Sequence, residues 1–579
     1  MPHIQKQQKT KMSRFGRKNK PKANFQLSVA SDNEIQVKTS KVKNDDLRVI
    51  KKAIHSNAKL KTFNVMNTDV LMLTSMINNS QKYTLAEIPS YVTRVRKKNH
   101  PKVFDHLKIA PKLWNTLFLY QQEGVEQIID QYGSRCLLGD DMGLGKTFQA
   151  LAFISYHINT NADSIRVLVV CPSYLRYHWQ HSVKEWLDLD SQIAKKGSAI
   201  LTEKICIVSY AMLKALAIKP CVFNVVVCDE SHYVKSRKAL RTKTLTPICK
   251  SAKAALLITG TPALNRPIEL FSQLLMLRPA YVKNYSAFAA RYCNGKQTAF
   301  GYDDRGSSNE KELAWLLRKG FMVRRLKRDV LSQLPAKIRN SIWLEIKKSE
   351  LGAIEKEFKR WKKLNERIYK MPTGSEEQRE MIFERKTVIS GLYLLTAEAK
   401  IKAVVDWVTD ALQQGRSFIF FAYHMNVLNA VEKAVKNLNL GYIRIDGSTP
   451  SHKRTSAVEC FQSDPLIRIA ILSIGAAGAG ITLTRVNECV FGELCFVPGI
   501  LTQAEDRIHR IGQEKKCEIN YLLATDTLDN YIFPNICKKL LLIDTVTDSR
   551  QDRTLEGKKS FVEAKEEEGD LMSLLNDIF

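Results

Sequence analysis

The chain has 579 residues, enough for several domains, and 89 Lys and Arg against 59 Asp and Glu give it a formal net charge of +30. Such an excess of positive charge favours a polyanion as partner. No membrane-spanning helix is expected, because the longest apolar runs are strand-sized, and no signal peptide is expected in the polar, basic stretch 1–25. The 12 cysteines form no Cys-x-x-Cys pair, which favours a reducing intracellular compartment and disfavours a zinc site.

The two ends of the chain are assigned mainly from their charge. Residues 1–45 are predicted to be a basic, disordered tail, in which Arg17–Lys22 has the sequence RKNKPK. This run is typical of a nuclear import signal or a nucleic-acid-binding arm, although a merely solvated tail explains it equally well. Residues 46–110 are assigned to an accessory region of unassigned fold. Residues 546–579 are predicted to form a polar, acidic tail, whose apolar stripe at helical spacing could dock in a groove or belong to a frayed, solvated tail.

A glycine-rich segment, GDDMGLGKT, occupies residues 139–147. Gly143 and Gly145 permit backbone angles that side chains forbid, so that successive N–H groups can converge on a phosphate at a helix N-terminus. Lys146 is then expected to reach the outer phosphates of a nucleotide, and the Thr147 hydroxyl to ligate Mg²⁺. A glycine-rich turn with a chance lysine is the alternative, because the strict pattern begins with a glycine at position 140, where this chain has Asp140.

The apolar run Val225–Cys228 ends in two carboxylates, Asp229 and Glu230. Such a run is typical of a buried parallel strand, and ligand chemistry collects at the carboxyl ends of such strands. Asp229 is expected to hold Mg²⁺, and Glu230 to orient or deprotonate an attacking water. An ordinary acidic turn is the alternative, which the phosphate loop upstream disfavours.

Strand-like runs alternate with helical patterns over residues 111–340, which predicts an α/β lobe with a parallel sheet covered by helices on both faces. Residues 341–395 are charged and carry Trp361 and Leu364 at helical spacing, so they are predicted to form a helical insertion. Strand-like runs return in residues 396–545, which are assigned to a second lobe.

Arg507 and Arg510 lie in the segment Gln503–Gln513, far downstream of the phosphate loop. Their spacing places them on one side of a helical turn, from which both could reach the phosphates. This arrangement predicts a nucleotide held between two lobes, and therefore a motor rather than a simple binder.

Together these segments resemble the motifs of SWI/SNF-related DNA-dependent ATPases of helicase superfamily two, over roughly residues 113–545. The resemblance implies two RecA-like lobes with parallel sheets, a helical insertion between them and flexible termini, with ATP and Mg²⁺ as cofactors. The family's own phosphate loop resembles residues 140–147, aspartate at position 140 included. Further roles implied by the resemblance are adenine-side contact for Gln121, coupling of hydrolysis to lobe movement for Thr259–Pro262, and nucleotide contact for Gly480 and Gln503.

Two segments, Thr261–Leu270 and Met322–Lys337, resemble the annealing-helicase branch, called HepA-related or SMARCA-like. The branch implies a nuclear motor that moves on double-stranded DNA and rewinds it or remodels branched DNA such as stalled replication forks. Single-strand-binding or replication proteins are candidate partners, and a membrane is not. No clear copy of the branch's accessory HARP module occurs in residues 26–110, although residues 60–100 could hold a diverged one.

DNA is expected to lie across both lobes and to be held mostly through its phosphates, so that affinity falls steeply with salt. The basic run Arg324–Arg328 is the stronger candidate for coupling a lobe to DNA, with a solvated helix face as the alternative. Weaker candidate contacts, whose hydroxyls could equally cap turns, are Ser173, Ser209, Tyr210, His424 and Thr482.

Three other functions are weighed against this one. A nucleosome-remodelling ATPase is disfavoured because Ser231-His232 stands where remodellers commonly have Ala-His. A non-catalytic DNA-binding scaffold is disfavoured because Lys146, Asp229 and Arg510 are all present. An RNA helicase is disfavoured by the His-Arg-Ile-Gly-Gln ending of the arginine segment.

Overall fold

A computed structural model describes residues 25–29, 34–39, 62–66, 73, 77, 85–86, 88, 92 and 95, and residues 103–547 apart from 161–164, 217, 264, 283, 299–300, 331–334, 372–374, 476–482 and 511. The chain divides into two compact units, Met1–Ser90 and Tyr91–Phe579. No helix in these described ranges is long and apolar enough to cross a membrane.

The first unit contains a four-stranded sheet in the order β3-β2-β1-β4. Its inward side chains include Leu27, Ile35 and Val37, which are buried. Two of its strands lie within residues 1–45, so the prediction of a disordered tail is wrong for those strands. The sheet comprises β1 (Phe25–Val29), β2 (Glu34–Thr39), β3 (Thr62–Met66) and β4 (Leu85–Ala86).

The first lobe of the second unit is built on a seven-stranded sheet in the order β13-β5-β10-β9-β6-β8-β7, in which every neighbouring pair is parallel. The central strands are apolar and fully buried, as expected of strands covered on both faces. The strands of this lobe are β5 (Arg135–Leu138), β6 (Val167–Cys171), β7 (Gln192–Ile193), β8 (Ile205–Ser209), β9 (Val225–Cys228), β10 (Ala254–Ile258), the hairpin β11 (Lys296–Thr298) and β12 (Gly301–Asp303), and β13 (Met322–Val323).

Helices cover this sheet and place its loops. Because β10 lies between β5 and β9, the segments that follow these three strands meet at one carboxyl edge of the sheet. The helices are α1 (Pro111–Trp114), α2 (Leu119–Asp130), α3 (Lys146–Thr160), α4 (Arg176–Leu187), α5 (Leu240–Ser251), α6 (Leu270–Leu277), α7 (Tyr285–Tyr292), α8 (Glu310–Gly320) and α9 (Lys327–Val330).

The second lobe is built on a six-stranded, all-parallel sheet in the order β14-β19-β18-β15-β17-β16. Its edge strand β14 begins at Lys337, so residues that the sequence assigned to the first lobe belong to the second sheet. The two parallel-sheet lobes confirm the predicted fold class. The strands are β14 (Lys337–Leu344), β15 (Phe418–Ala422), β16 (Gly441–Ile445), β17 (Ile467–Ser473), β18 (Glu488–Phe491) and β19 (Cys517–Ala524).

Alternate residues of β15 enter different cores, because successive side chains of a strand point to opposite faces. Ile419 and Phe421 pack with Trp361 and Leu364, whereas Phe418 lies in the core on the other face. The Trp361 stripe is therefore packing. One long helix, α11, runs through the predicted boundary at residue 395. The helices are α10 (Lys348–Lys370), α11 (Glu376–Gln413), α12 (Met425–Asn437), α13 (Ser451–Ser463), α14 (Pro498–Glu505) and α15 (Asp529–Thr547).

All 12 cysteines lie in the described residues and none forms a disulfide. Most are buried in the cores. Two are exposed: Cys221, between β8 and β9 in the first lobe, and Cys460, on α13 in the second lobe.

Candidate functional site

The phosphate loop, residues 139–147, leaves the carboxyl end of β5 and runs into α3, which begins at Lys146. Gly143 and Gly145 adopt φ angles of +84° and +68°, in the left-handed region that favours glycine. Space also requires glycine at position 145, since a Cβ there would lie 2.3 Å from Nε2 of Gln121.

Gln121 lies directly against this loop, on α2. Its Nε2 donates to the carbonyl of Leu144 at 3.1 Å, and its Oε1 accepts from the main-chain N–H of Phe118 at 2.9 Å. The side chain is buried. The structure therefore places Gln121 beside the loop that is expected to hold phosphates.

Lys146 lies inside a ring of acids. Its Nζ donates at 2.9 Å to each of the main-chain carbonyls of Asp140 and Asp141. Burial lowers the pKa of Lys146, while the negative charge of Glu230 opposes this effect most strongly. The ammonium is thus held at the loop, where β5 and β9 both end.

Asp140 is explained by a buried ion pair. Its Oδ2 lies 2.5 Å from Nη2 of Arg325, and its Oδ1 accepts from the main-chain N–H of Arg325 at 2.9 Å. Gln149 completes the arrangement by donating to Asp140 Oδ2 at 3.0 Å. The aspartate, whose side chain is fully buried, thereby ties the loop to the residues after β13.

The prediction that Arg324 and Arg325 contact DNA is contradicted by these positions. Arg324 Nη1 donates to the Gly139 carbonyl at 2.5 Å, and its Nη2 lies 3.2 Å from Asp141 Oδ1. The side chains of the two arginines are only 8% and 16% exposed. Both guanidinium groups brace the phosphate loop because buried acids attract them there.

Asp229 and Glu230 follow β9, beside the phosphate loop. Asp229 Oδ2 accepts from Nε1 of Trp179 at 3.0 Å, and its Oδ1 accepts from the main-chain N–H of Glu230 at 2.9 Å. Burial, and then the charge of Glu230, raise the pKa of Asp229 to about 6. The raised pKa shows that the negative charge of Asp229 is not fully compensated by its neighbours. A bound cation would supply that compensation.

Glu230 adopts φ +50°, and its Oε2 lies 3.2 Å from Nδ1 of His232. Burial works against ionisation, but His232, Lys146 and Arg507 together hold the pKa of Glu230 below its usual value. Glu230 is therefore kept as a carboxylate, as a residue that orients or deprotonates water must be.

The arginine segment of the second lobe reaches this same place. The Cγ of Arg510 lies 3.3 Å from the position that a Cβ on Gly143 would take. Burial, and then the charge of Arg510, lower the pKa of Arg507 to about 9, while Glu230 attracts both guanidinium groups. Two cations thus meet the phosphate loop from the opposite lobe, where phosphate charge would relieve their mutual repulsion.

Polar contacts cross between the lobes near these arginines. Gln503 Nε2 donates to Thr261 Oγ1 at 3.1 Å. Lys327 Nζ lies 3.2 Å from Asp506 Oδ1, while the main-chain N–H of Lys327 donates to Asp141 at 3.2 Å. Lys327 therefore contacts both the phosphate loop and the arginine segment.

A second set of contacts holds the arginine segment within its own lobe. Lys337 Nζ lies 2.9 Å from Glu505 Oε2 and 3.1 Å from Asp506 Oδ1. Arg339 pairs with Glu505 at 2.6 Å. Despite burial, these cations hold the pKa of Glu505 well below its usual range.

The structure places the weaker candidates for DNA contact in different environments. Ser173 is exposed at the carboxyl end of β6. Ser209 is buried, so its predicted contact with DNA is wrong for this conformation. Tyr210 is also buried and donates to the Asp229 carbonyl at 2.8 Å, and His424 lies 2.6 Å from Glu493. Gly480 and Thr482 lie outside the described residues.

Comparison with known proteins assigns the chain to a family. Residues 120–401 match the model of the SNF2-related domain, and residues 399–512 match that of the helicase conserved C-terminal domain. The SWI/SNF-related matrix-associated actin-dependent regulator of chromatin subfamily A-like protein 1 homolog of Caenorhabditis elegans is 34% identical over 507 residues, which cover 84% of this chain and 70% of that protein. The chain belongs to this SWI/SNF-related family.

Two vertebrate relatives of this SWI/SNF-related protein support the predicted branch. The subfamily A-like protein 1 of Bos taurus is 38% identical over 447 residues, 76% of this chain and 46% of that protein. The DNA annealing helicase and endonuclease ZRANB3 of Homo sapiens is 38% identical over 481 residues, 80% of this chain and 42% of that protein. The chain therefore spans about half the length of these relatives.

A solved structure gives a looser match to this SWI/SNF-related chain. The Sulfolobus solfataricus SWI2/SNF2 ATPase core in complex with double-stranded DNA covers 77% of this chain and 95% of its own, at 21% identity and a TM-score of 0.37. The family assignment therefore rests on the sequence relationships alone.

The roles of three residues of the site were not predicted from the sequence of this SWI/SNF-related protein, although Arg325 and Lys327 lie in the basic run that was expected to couple a lobe to DNA. Trp179, which binds Asp229, and Lys327, which bridges the lobes, stand in no phosphate-binding or acidic motif. Arg325 was noticed only as positive charge. An unexplained acid in the phosphate loop was the one available signal, because a buried aspartate requires a cationic partner.

Proposed function

We propose that the chain is an ATP-dependent translocase on double-stranded DNA that reanneals or remodels branched DNA, such as stalled replication forks. The observation that carries the proposal is the convergence of Lys146, the Asp229-Glu230 pair and the Arg507-Arg510 pair at the junction of two lobes. Membership of the SWI/SNF-related family supports a DNA-dependent ATPase, and the relatives named annealing helicase support the branched substrate.

The chain's own residues suit ATP turnover at this junction. Lys146 and the loop N–H groups are positioned to bind phosphates, with Gln121 on the side expected for adenine. Glu230 is available to orient the attacking water, and Arg507 and Arg510 to stabilise negative charge as it develops in the transition state. Opening of the lobes would separate these residues and closure would bring them together again, which links hydrolysis to movement.

Mg²⁺ fits the same place. Thr147 is the second residue of α3, next to Lys146, and Asp229 has a raised pKa that a neighbouring divalent cation would lower. No group of three or more metal-ligating His, Cys, Asp or Glu side chains occurs in the described part of the chain. A site of one carboxylate, one hydroxyl and substrate phosphates is the kind that Mg²⁺ prefers, and the ion would neutralise phosphate charge there.

The proposed DNA-binding surface lies on the carboxyl edge of the first sheet and extends onto the second lobe. The charge of +30 supports binding through phosphates, and exposed Ser173 is one candidate contact. Nuclear action and contact with single-strand-binding or replication proteins are part of the proposal. The chromatin-regulator and annealing-helicase names of the relatives support them.

The decisive experiment compares two activities of the purified chain. One assay follows ATP-driven reannealing of a DNA bubble held open by single-strand-binding protein, and the other follows unwinding of a simple partial duplex. ATP hydrolysis is measured in parallel without polymer and with duplex DNA, forked DNA, RNA and nucleosomes. Glu230→Gln serves as the control, because it keeps the shape of the site and removes the carboxylate.

We expect hydrolysis to be stimulated most by duplex and forked DNA, and reannealing to require both ATP and Glu230. Robust unwinding without ATP-dependent reannealing would replace the proposal with an ordinary helicase. Stimulation confined to nucleosomes would indicate a remodeller, and stimulation by RNA alone an RNA helicase. DNA binding without any hydrolysis would indicate a scaffold.

A further inference from the structure

A cavity of about 460 Å³ is lined by residues that follow the acidic motif in the chain, beginning at Lys235. We name it the basic pocket, because Lys235, Arg237, Lys238 and Arg266 line it. Its wall begins just after the short helical turn Ser231–Val234 that follows β9. The pocket therefore lies at the carboxyl edge of the first sheet, the edge that also presents Ser173.

The basic pocket has more positive than negative charge. Four cationic side chains line it against two carboxylates, those of Glu269 and Asp304, a net of +2. Both carboxylates are already engaged, since Glu269 Oε1 lies 3.0 Å from Lys235 and Asp304 accepts from the hydroxyl of Tyr285. Neither of these two contacts involves the exposed Arg237 or Lys238, so the pocket keeps its excess of positive charge.

A fifth cation increases this excess. Lys539 of α15 approaches the pocket, and burial, followed by the charge of Arg266, lowers its pKa to about 8. Burial likewise lowers the pKa of Arg266. Cations that are held together in a partly buried place gain free energy when an anion binds among them.

The position of the Arg237 side chain also suits phosphate binding. The guanidinium of Arg237 lies 3.8 Å from the centre of the Tyr285 ring, which holds the planar group in place. A fixed guanidinium loses little freedom on binding and can donate two parallel hydrogen bonds to phosphate oxygens.

We infer that the basic pocket binds a phosphate group of the DNA backbone and so forms an anchor for DNA on the first lobe. The inference rests on the proposed function, because it assumes that DNA is the polyanion. It adds a specific contact, which replaces the erroneous assignment of Arg324 and Arg325 with Arg237 and Lys238. Such a contact positions the duplex and carries no sequence preference.

The test is direct binding of a labelled duplex and a labelled fork by fluorescence anisotropy, across a range of salt concentrations. The variant is the double substitution R237A and K238A. The matched control is K243A and K250A, which removes the same charge from exposed positions of α5 that do not line the pocket. Thermal unfolding of both variants checks that the lobe is intact.

We expect the pocket variant to bind DNA about tenfold more weakly, and the slope of log affinity against log salt to become shallower by about 1, as loss of one phosphate contact requires. Its KM for ATP at saturating DNA should equal that of the natural chain. The control should lose less affinity. Equal losses of affinity and slope in the two variants would overturn the inference.

Two further outcomes separate the pocket from the proposed function. If the pocket variant loses DNA affinity but DNA does not stimulate hydrolysis by the natural chain, the pocket stands and the proposed function fails. Binding of inorganic phosphate is measured by calorimetry at constant ionic strength. If the pocket variant loses phosphate binding and keeps full DNA affinity, the pocket is a site for free phosphate, and the inference is wrong.

Discussion

The phosphate loop and the arginine segment each carry two neighbouring acids, which are bound by cations from the stretch between Arg324 and Arg339. In the loop, Asp140 and Asp141 bind arginines that follow a strand of the same sheet. In the arginine segment, Glu505 and Asp506 bind cations of their own lobe, but Asp506 also pairs with Lys327 across the junction.

This difference indicates which part is fixed and which depends on lobe closure. The loop is braced by an ion pair that opening of the lobes would leave intact. The arginine segment has one brace within its lobe and another across the junction, so opening would break the Lys327–Asp506 contact. Phosphate binding should therefore survive changes at the junction, whereas transition-state stabilisation should not.

The largest effect is expected at the phosphate loop, which is braced within the first lobe. Lys146→Ala should reduce ATP hydrolysis to background, because Lys146 is the cation expected to reach the outer phosphates, whereas Arg324 and Arg325 are held by the acids of the loop. DNA affinity should change little, since the proposed DNA contacts lie elsewhere. Steady-state hydrolysis and anisotropy measure the two properties. Turnover at the natural rate would contradict the assignment of residues 139–147 as a phosphate loop.

At the junction, Arg510→Ala should reduce kcat by about 10³, within the range found for arginine fingers. ATP should still bind, because the first lobe is unchanged. A fluorescent nucleotide measures affinity beside single-turnover kinetics. Equal losses of nucleotide affinity and rate would show that the arginine contributes to ground-state binding instead.

The brace of the loop can be broken separately. Arg325→Ala should lower the free energy of unfolding by about 3–5 kcal/mol, because it leaves the buried carboxylate of Asp140 without its cation. Arg328→Ala is the matched control, since its partner Asp329 is 3.8 Å away and both side chains are 37% exposed. The control should lose no more than about 1 kcal/mol in urea unfolding. Equal losses would mean that the buried pair adds nothing.

The smallest effect is expected from the contact between the lobes. Lys327→Met should lower kcat about 10- to 100-fold, as misplacement of a catalytic group by about 1 Å does. KM for ATP should stay the same, and Lys327→Arg should restore most of kcat. A rise in KM without a fall in kcat would contradict the role of Lys327 as a positioning residue.

The sequence predicted roles for the residues expected to handle ATP because each stands in a short contiguous motif whose chemistry is local; the structure brings these residues together, and their roles in ATP turnover stay predictions. Arg325 could not be predicted correctly, because its partner Asp140 is 185 positions away and a run of positive charge does not tell which side chains face solvent. The prediction that Ser209 contacts DNA was wrong for the same reason, since the burial of this side chain depends on the packing of the sheet. The strands in the basic N-terminal stretch were missed although β2 alternates buried Ile35 and Val37 with polar residues, which is the pattern of a half-buried strand, because the excess of Lys and Arg in this stretch favours a disordered tail.

The two exposed cysteines have a practical consequence. Cys221 lies on the first lobe and Cys460 on the second, while nine of the other ten thiols are buried and Cys537 is partly covered. A maleimide donor and acceptor should therefore attach mainly to one point on each lobe of the natural sequence. Energy transfer between the two dyes would follow the opening and closing of the lobes during a single cycle of hydrolysis, without any engineered substitution.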